Sequence, residues 1–192
     1  MSAALDTFRR SMIMDYEKWH DGIGYDLEAL QQLDRSEIDG VETILIDHLN
    51  NPGDWRDVEA LHALGTPRAV AAVKGARQHR TAEVRTRAAE LSGDRNDIEQ
   101  AIVSGLFDDN GWSKALDLAE ENATPAVKQA LLDCARRGAP EARVNAAAML
   151  LYVCGQAEEP FDWNHRPFFL RFGEDDAEVQ SAWDELRRRT SL

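Results

Sequence analysis

The segment Trp19-His20-Asp21 with Tyr25-Asp26 places an imidazole, two carboxylates and a phenol within eight residues. Those types form either a hydrogen-bonded polar cluster or a metal site. The five histidines (His20, His48, His62, His79, His165) are scattered, however, and no H-E-x-x-H or C-x-x-C spacing occurs, so no metal is expected. Gly22-Ile23-Gly24 lacks the third glycine, the preceding strand and the Lys-Ser/Thr pair of a phosphate cradle, and a tight turn is expected there. Ser104 and Ser113 fall in helical patterns with no G-x-S-x-G elbow around either. Cys134 and Cys154 lie in apolar helical runs and are expected to be reduced core thiols. Acid pairs such as Asp54/Asp57 and Asp108/Asp109 have the chemistry for proton transfer, but 35 Asp and Glu in 192 residues make such pairs common on a solvated surface. No catalytic set and no cofactor site emerges, and a non-enzymatic protein is expected.

Two features suit binding instead. Asp54, Asp57 and Glu59, then Asp94, Asp97 and Glu99, then Asp108, Asp109, Glu120 and Glu121 recur along the chain. On one side of the fold they would make a field that steers a basic protein; spread out, they would serve solubility. Trp163 and Phe168, with Phe161, Phe169, Arg166 and Arg171, belong to residues 156–174, which hold four of the six Phe, one Trp and two Pro. That segment either caps the last apolar stripe or forms a contact of the kind aromatic and Arg side chains make at interfaces. Trp55, Trp112 and Trp183 sit at helix starts or faces, where core packing accounts for them.

The net charge of −13 argues against nucleic acid or anionic lipid as partner, because such binding runs on clustered cations. A basic protein partner is the complementary expectation, met by a chain that is a monomer when free. The N-terminal residues show no basic segment followed by an apolar run, so neither a secretory signal nor a membrane span is expected, and the location expected is cytoplasmic. Asn122-Ala123-Thr124 has the form of a glycosylation acceptor, but Thr124 is better explained as a helix cap.

The elements that must position these residues are short helices. Beyond about residue 36 the chain repeats a capping residue, ten to fourteen residues of 3.6-period pattern, and a short break. Ser36 is expected to cap the first, with Val41, Ile44, Leu45, His48 and Leu49 on one face. Asp54 caps the next, Gly65 ends it, and Thr66-Pro67 starts another. Strand patterns are nearly absent. The pattern also repeats: Thr66, Glu83, Arg85 and Ala88 recur 58 positions later as Thr124, Glu141, Arg143 and Ala146. That spacing is two stacked helical hairpins. One domain over 1–192 is expected, with an N-terminal cap (1–35), repeats (36–155), the aromatic insertion (156–174) and a capping helix (175–192).

The run D-W-R-D-V-E-A-L-H-A-L-G-T-P-R-A-V (54–70) followed by A-E-V-R-T-R-A-A-E-L (82–91) resembles the HEAT-repeat family, over about residues 54–154. The resemblance implies an all-α fold, an α-solenoid of about five HEAT-like hairpins stacked right-handedly, and a protein-binding surface. Residues 19–30 are also similar to N-terminal segments of small bacterial HEAT-like proteins, which carry over no site. By analogy, a small acidic solenoid without its own chemistry suits an immunity protein that binds and neutralises a cognate toxin. The alternative is resemblance to lyase-type HEAT proteins that present a chromophore or assist modification of another protein, with a pocket around Trp19, His20, Asp21 and Tyr25. HEAT-like glycosylases, which bind nucleic acid, fit the charge least.

Overall fold

A computed structural model describes residues 2–173 and 175–192; Glu174, the last residue of the expected aromatic insertion, lies outside the described residues together with Met1. Among the described residues all regular structure is helical, and no helix is long and apolar enough to cross a membrane. The chain divides into two compact units, Met1–Ser92 and Gly93–Leu192.

In the first unit, α1 (Ala3–Ser11), α2 (Tyr16–His20) and α3 (Leu27–Gln31) precede four longer helices, α4 (Arg35–Asn50), α5 (Trp55–Leu64), α6 (Pro67–Ala76) and α7 (Ala82–Ser92). Ser36 is not the cap of α4. Asp34 is, with Glu37 three residues later completing a reciprocal capping box. Glu37 also accepts from the Ser2 amide at 2.8 Å and the Ser2 hydroxyl at 2.7 Å, which ties α1 to α4. Asp54 caps α5, and Gly65 ends it at φ 62°, a left-handed conformation that a Cβ would strain. Thr66 then caps α6 through the Ala69 amide. Val41, Leu45 and Leu49 face Val58, Leu61, Val73 and Val84, with Phe8 and Leu30 closing the core. Ile44, expected on that stripe, is exposed, and Glu42 flanks the stripe instead.

The second unit contains α8 (Arg95–Gly105), α9 (Trp112–Glu121), α10 (Pro125–Arg137), α11 (Pro140–Val153), α12 (Arg166–Leu170) and α13 (Asp176–Thr190). Its first four helices repeat the last four of the first unit. Thr124 caps α10 through the Val127 amide just as Thr66 caps α6. Helix pairs correspond as well: α4 touches α5 and α6, and α5 touches α7, while α8 touches α9 and α10, and α9 touches α11. The register is 57 for Glu42/Glu99 and Trp55/Trp112 and becomes 58 from Thr66/Thr124 onward, because the α9–α10 connection is one residue longer than the α5–α6 connection.

Residues after α11 are more ordered than an irregular insertion. Two 3-10 turns (Trp163–His165 and Arg171–Gly173) flank α12, and Phe168, Phe169 and Phe172 are buried in the core with Leu131, Leu151 and Leu186. Each such side chain contributes about 1.5–3 kcal/mol by leaving water. Helix α13 then packs on α10 and α11, and Trp183 donates from Nε1 to the Leu132 carbonyl at 2.9 Å. Cys134 is fully buried, whereas Cys154 is only half-buried, at the end of α11.

Candidate protein-binding surface

The N-terminal polar segment resolves into a buried network and an exposed face. The network centres on Asp57, whose exposure is 0%. Asp57 lies one turn into α5, where its Oδ2 accepts from the Asp54 amide at 2.9 Å. Its Oδ1 accepts from the Tyr25 hydroxyl at 3.1 Å, and the His48 Nδ1 lies 2.8 Å away. With all these partners Asp57 is satisfied, yet burial still raises its pKa above the usual carboxylate range; the bonds from His48, Asp54 and Tyr25 pull the other way. Burial, reinforced by the Asp57 and Asp54 charges, also pushes the Tyr25 phenol well above its ordinary value. Tyr25 packs edge-on against Phe8, with ring centroids 6.1 Å apart.

Next to Asp57, Arg56 is 2% exposed. Its Nε donates to the Ile23 carbonyl at 2.6 Å, and its Nη2 reaches the Lys18 carbonyl at 3.4 Å. Nη1 bonds both Asp54 oxygens at 3.1 Å, so the charge is paired where it is buried. One guanidinium thereby clamps both ends of residues 18–23 onto the start of α5. Within that span Gly22 takes φ 65° and turns the chain, and Ile23 donates back to the Lys18 carbonyl at 2.9 Å. Asp15 caps α2 through the Lys18 amide at 2.9 Å.

Apolar side chains on the clamped span and just before it stay in water. Ile13 is 67% exposed, Tyr16 73%, Trp19 64% and Ile23 48%. Tyr16 stacks obliquely on Trp19 and His20, with centroids 6.2 and 5.7 Å away, and His20 Nδ1 is 3.0 Å from Asp21 Oδ1. Scattered exposed apolar residues are ordinary, and four on one short segment form a candidate contact surface. Asp15, Glu17 and Asp21 are exposed beside them, but so are Arg9 and Arg10, which line a depression with Ile13, and the Lys18 ammonium donates to the Ile13 carbonyl at 2.9 Å, so the charges around the segment are mixed.

The other sequence-derived candidates lie elsewhere. Asp57 is inside the first unit and presents nothing to a partner, and Asp54 is committed to Arg56 and to the α5 cap. Glu59 is half-buried and pairs with Arg87, which also holds Glu90. In the second unit Asp94 caps α8 and is exposed, Asp97 and Asp108 are half-buried, and Asp109 is exposed. Trp163 is exposed at 68%, with the Arg166 guanidinium 5.0 Å from its ring centroid, while Phe168 is buried beneath Arg189. Sequence reasoning found Trp19, His20 and Asp21 but not Ile13, Tyr16, Ile23 or Arg56.

Chemically the arrangement offers contact area and charge. His48 is oriented by Asp57 through Nδ1. Among the described residues no group of three or more His, Cys, Asp or Glu is placed to hold a metal ion. No family model, no curated protein and no solved structure matches the chain.

Proposed function

We propose that this protein is a non-enzymatic protein-binding module of the HEAT-like α-solenoid type, acting in the cytoplasm and docking a basic protein through the face formed by Ile13, Tyr16, Trp19 and Ile23. The observation that carries this reading is the buried Arg56 clamp, which fixes residues 18–23 while leaving the aromatic side chains exposed. Pre-organised aromatic residues lose little conformational entropy on binding and dominate interface energetics. The net charge of −13 over the chain favours a basic partner and speeds encounter. An immunity protein bound to a cognate toxin is the most concrete form of such a pair.

The test is affinity capture with wild type and Trp19→Ala side by side, followed by titration calorimetry of whatever protein is retained. The expected partner is basic, binds more weakly as salt rises, and loses affinity about 30-fold with Trp19→Ala, the size of an interface hot spot. A retained protein that is acidic, or one indifferent to Trp19→Ala in a variant that melts like wild type, would refute the proposal.

A further inference from the structure

Among the described residues four Phe, Tyr or Trp side chains are exposed: Tyr16, Trp19, Phe107 and Trp163. The chain lays its own guanidinium over two of them, with Arg137 5.9 Å from the Phe107 ring centroid and Arg166 5.0 Å from that of Trp163. The half-buried Trp55 and Trp183 are covered in the same way: Arg56 lies 4.4 Å from the first, and Arg136 and Arg187 lie 4.7 and 5.0 Å from the second. No guanidinium or ammonium of the described residues lies over Tyr16 or Trp19. Two cations near them in sequence are turned to other acceptors. Lys18 donates to the Ile13 carbonyl at 2.9 Å, and Arg10 donates to the Asp6 carbonyl at 3.2 Å and the Thr7 hydroxyl at 3.3 Å.

We infer that Tyr16 and Trp19 receive a guanidinium of the partner, stacked on the Trp19 ring as Arg166 is stacked on Trp163. The attraction is that of a cation for the negative face of an aromatic ring, which is strongest for Trp. A guanidinium stacked on a ring keeps its in-plane N–H groups free, and the exposed carboxylates of Asp15, Glu17 and Asp21 on the same segment are acceptors for them. A point-charge ammonium has no plane to lay on the ring and uses the arrangement less fully. The inference rests on the docking face proposed above and adds the group that the partner brings to it.

The probe is an end-blocked Arg-Gly-Arg-Gly-Arg peptide, with its lysine and citrulline counterparts, titrated into the full chain labelled with nitrogen-15 and followed at the indole N–H signals. The Trp19 indole should shift saturably with the arginine peptide, bind the lysine peptide at least about threefold more weakly, and show no saturable shift with the uncharged citrulline peptide. Arg166→Ala uncovers Trp163 and should strengthen the response of the Trp163 indole to the arginine peptide. A Trp19 signal that does not saturate, that responds equally to arginine and lysine or to arginine and citrulline, or a Trp163 response unchanged in Arg166→Ala, would overturn the inference. Failure here with a Trp19-dependent basic partner intact removes the guanidinium contact alone. A successful titration in a protein whose captured partner ignores Trp19 removes the docking face alone.

Discussion

Replacing Arg56 with methionine keeps most of the apolar stem and deletes every polar contact of the clamp. Three interactions disappear: the 2.6 Å bond to the Ile23 carbonyl, the forked bond to Asp54, and the longer reach to the Lys18 carbonyl. A hydrogen bond from a charged donor is worth about 1.5–3 kcal/mol. The pair with Asp54 is smaller than a fully buried one, since Asp54 keeps about a third of its side chain in water and can rehydrate. Methionine recovers part of the loss through its own burial, so the net cost is about 2–4 kcal/mol. Because the clamp is local, the loss should show first as opening of residues 18–23 and only then as a lower melting temperature. Amide hydrogen exchange reads this directly. The Gly22 and Ile23 amides, which donate to Trp19 and Lys18 carbonyls, should lose protection in Arg56→Met while Leu45 and Leu61 amides keep most of theirs. Partner binding should weaken although no residue of the docking face has changed. Unchanged protection at Gly22 and Ile23, or full partner affinity once those amides exchange freely, would refute the clamp.

Other consequences follow from the same contacts. Because burial holds the folded-state pKa of Asp57 above its unfolded value, the folded state keeps this proton longer, and stability falls as pH rises from the ordinary carboxylate value through the raised one. The melting-temperature difference, wild type minus Asp57→Asn, should therefore fall over that window, and a rising difference would contradict the assignment. Of the three tyrosines, Tyr25 should ionise only as the first unit unfolds; an ultraviolet titration should lose its latest phase in Tyr25→Phe. Burial pushes the Cys134 thiol up to about 12, so a thiol reagent should modify the half-buried Cys154 first and Cys134 only on unfolding. Thr66→Ala and Thr124→Ala should each cost about 1 kcal/mol or more by removing a helix cap and a partner of Glu42 or Glu99, measured by chemical denaturation.

What was legible in the sequence was short-range. The caps Asp54, Thr66 and Thr124 and the stop at Gly65 depend on residues within four positions of each other, and all are found as expected. The repeat was visible because Thr-Pro opens a helix in the same way twice, and in both copies the capping threonine also donates to a glutamate of an earlier helix. Asp57 misled because an acid in the first turn of a helix is ordinarily solvated. Tyr25 and His48, 32 and 9 residues away, bury it, and no local pattern announces that. The aromatic segment 156–174 reads as a break in helical grammar because its turns are too short to show periodicity, yet its phenylalanines fill core positions. Glu59 and its neighbours carry charge in the sequence that Arg87 partly cancels in the fold.

The most direct measurement of the central claim is hydrogen exchange on the complex with the captured basic protein. The account predicts slowed exchange across residues 13–23, on the turn that Arg56 holds against α5. A tight complex in which residues 13–23 exchange as they do in the free protein would contradict it.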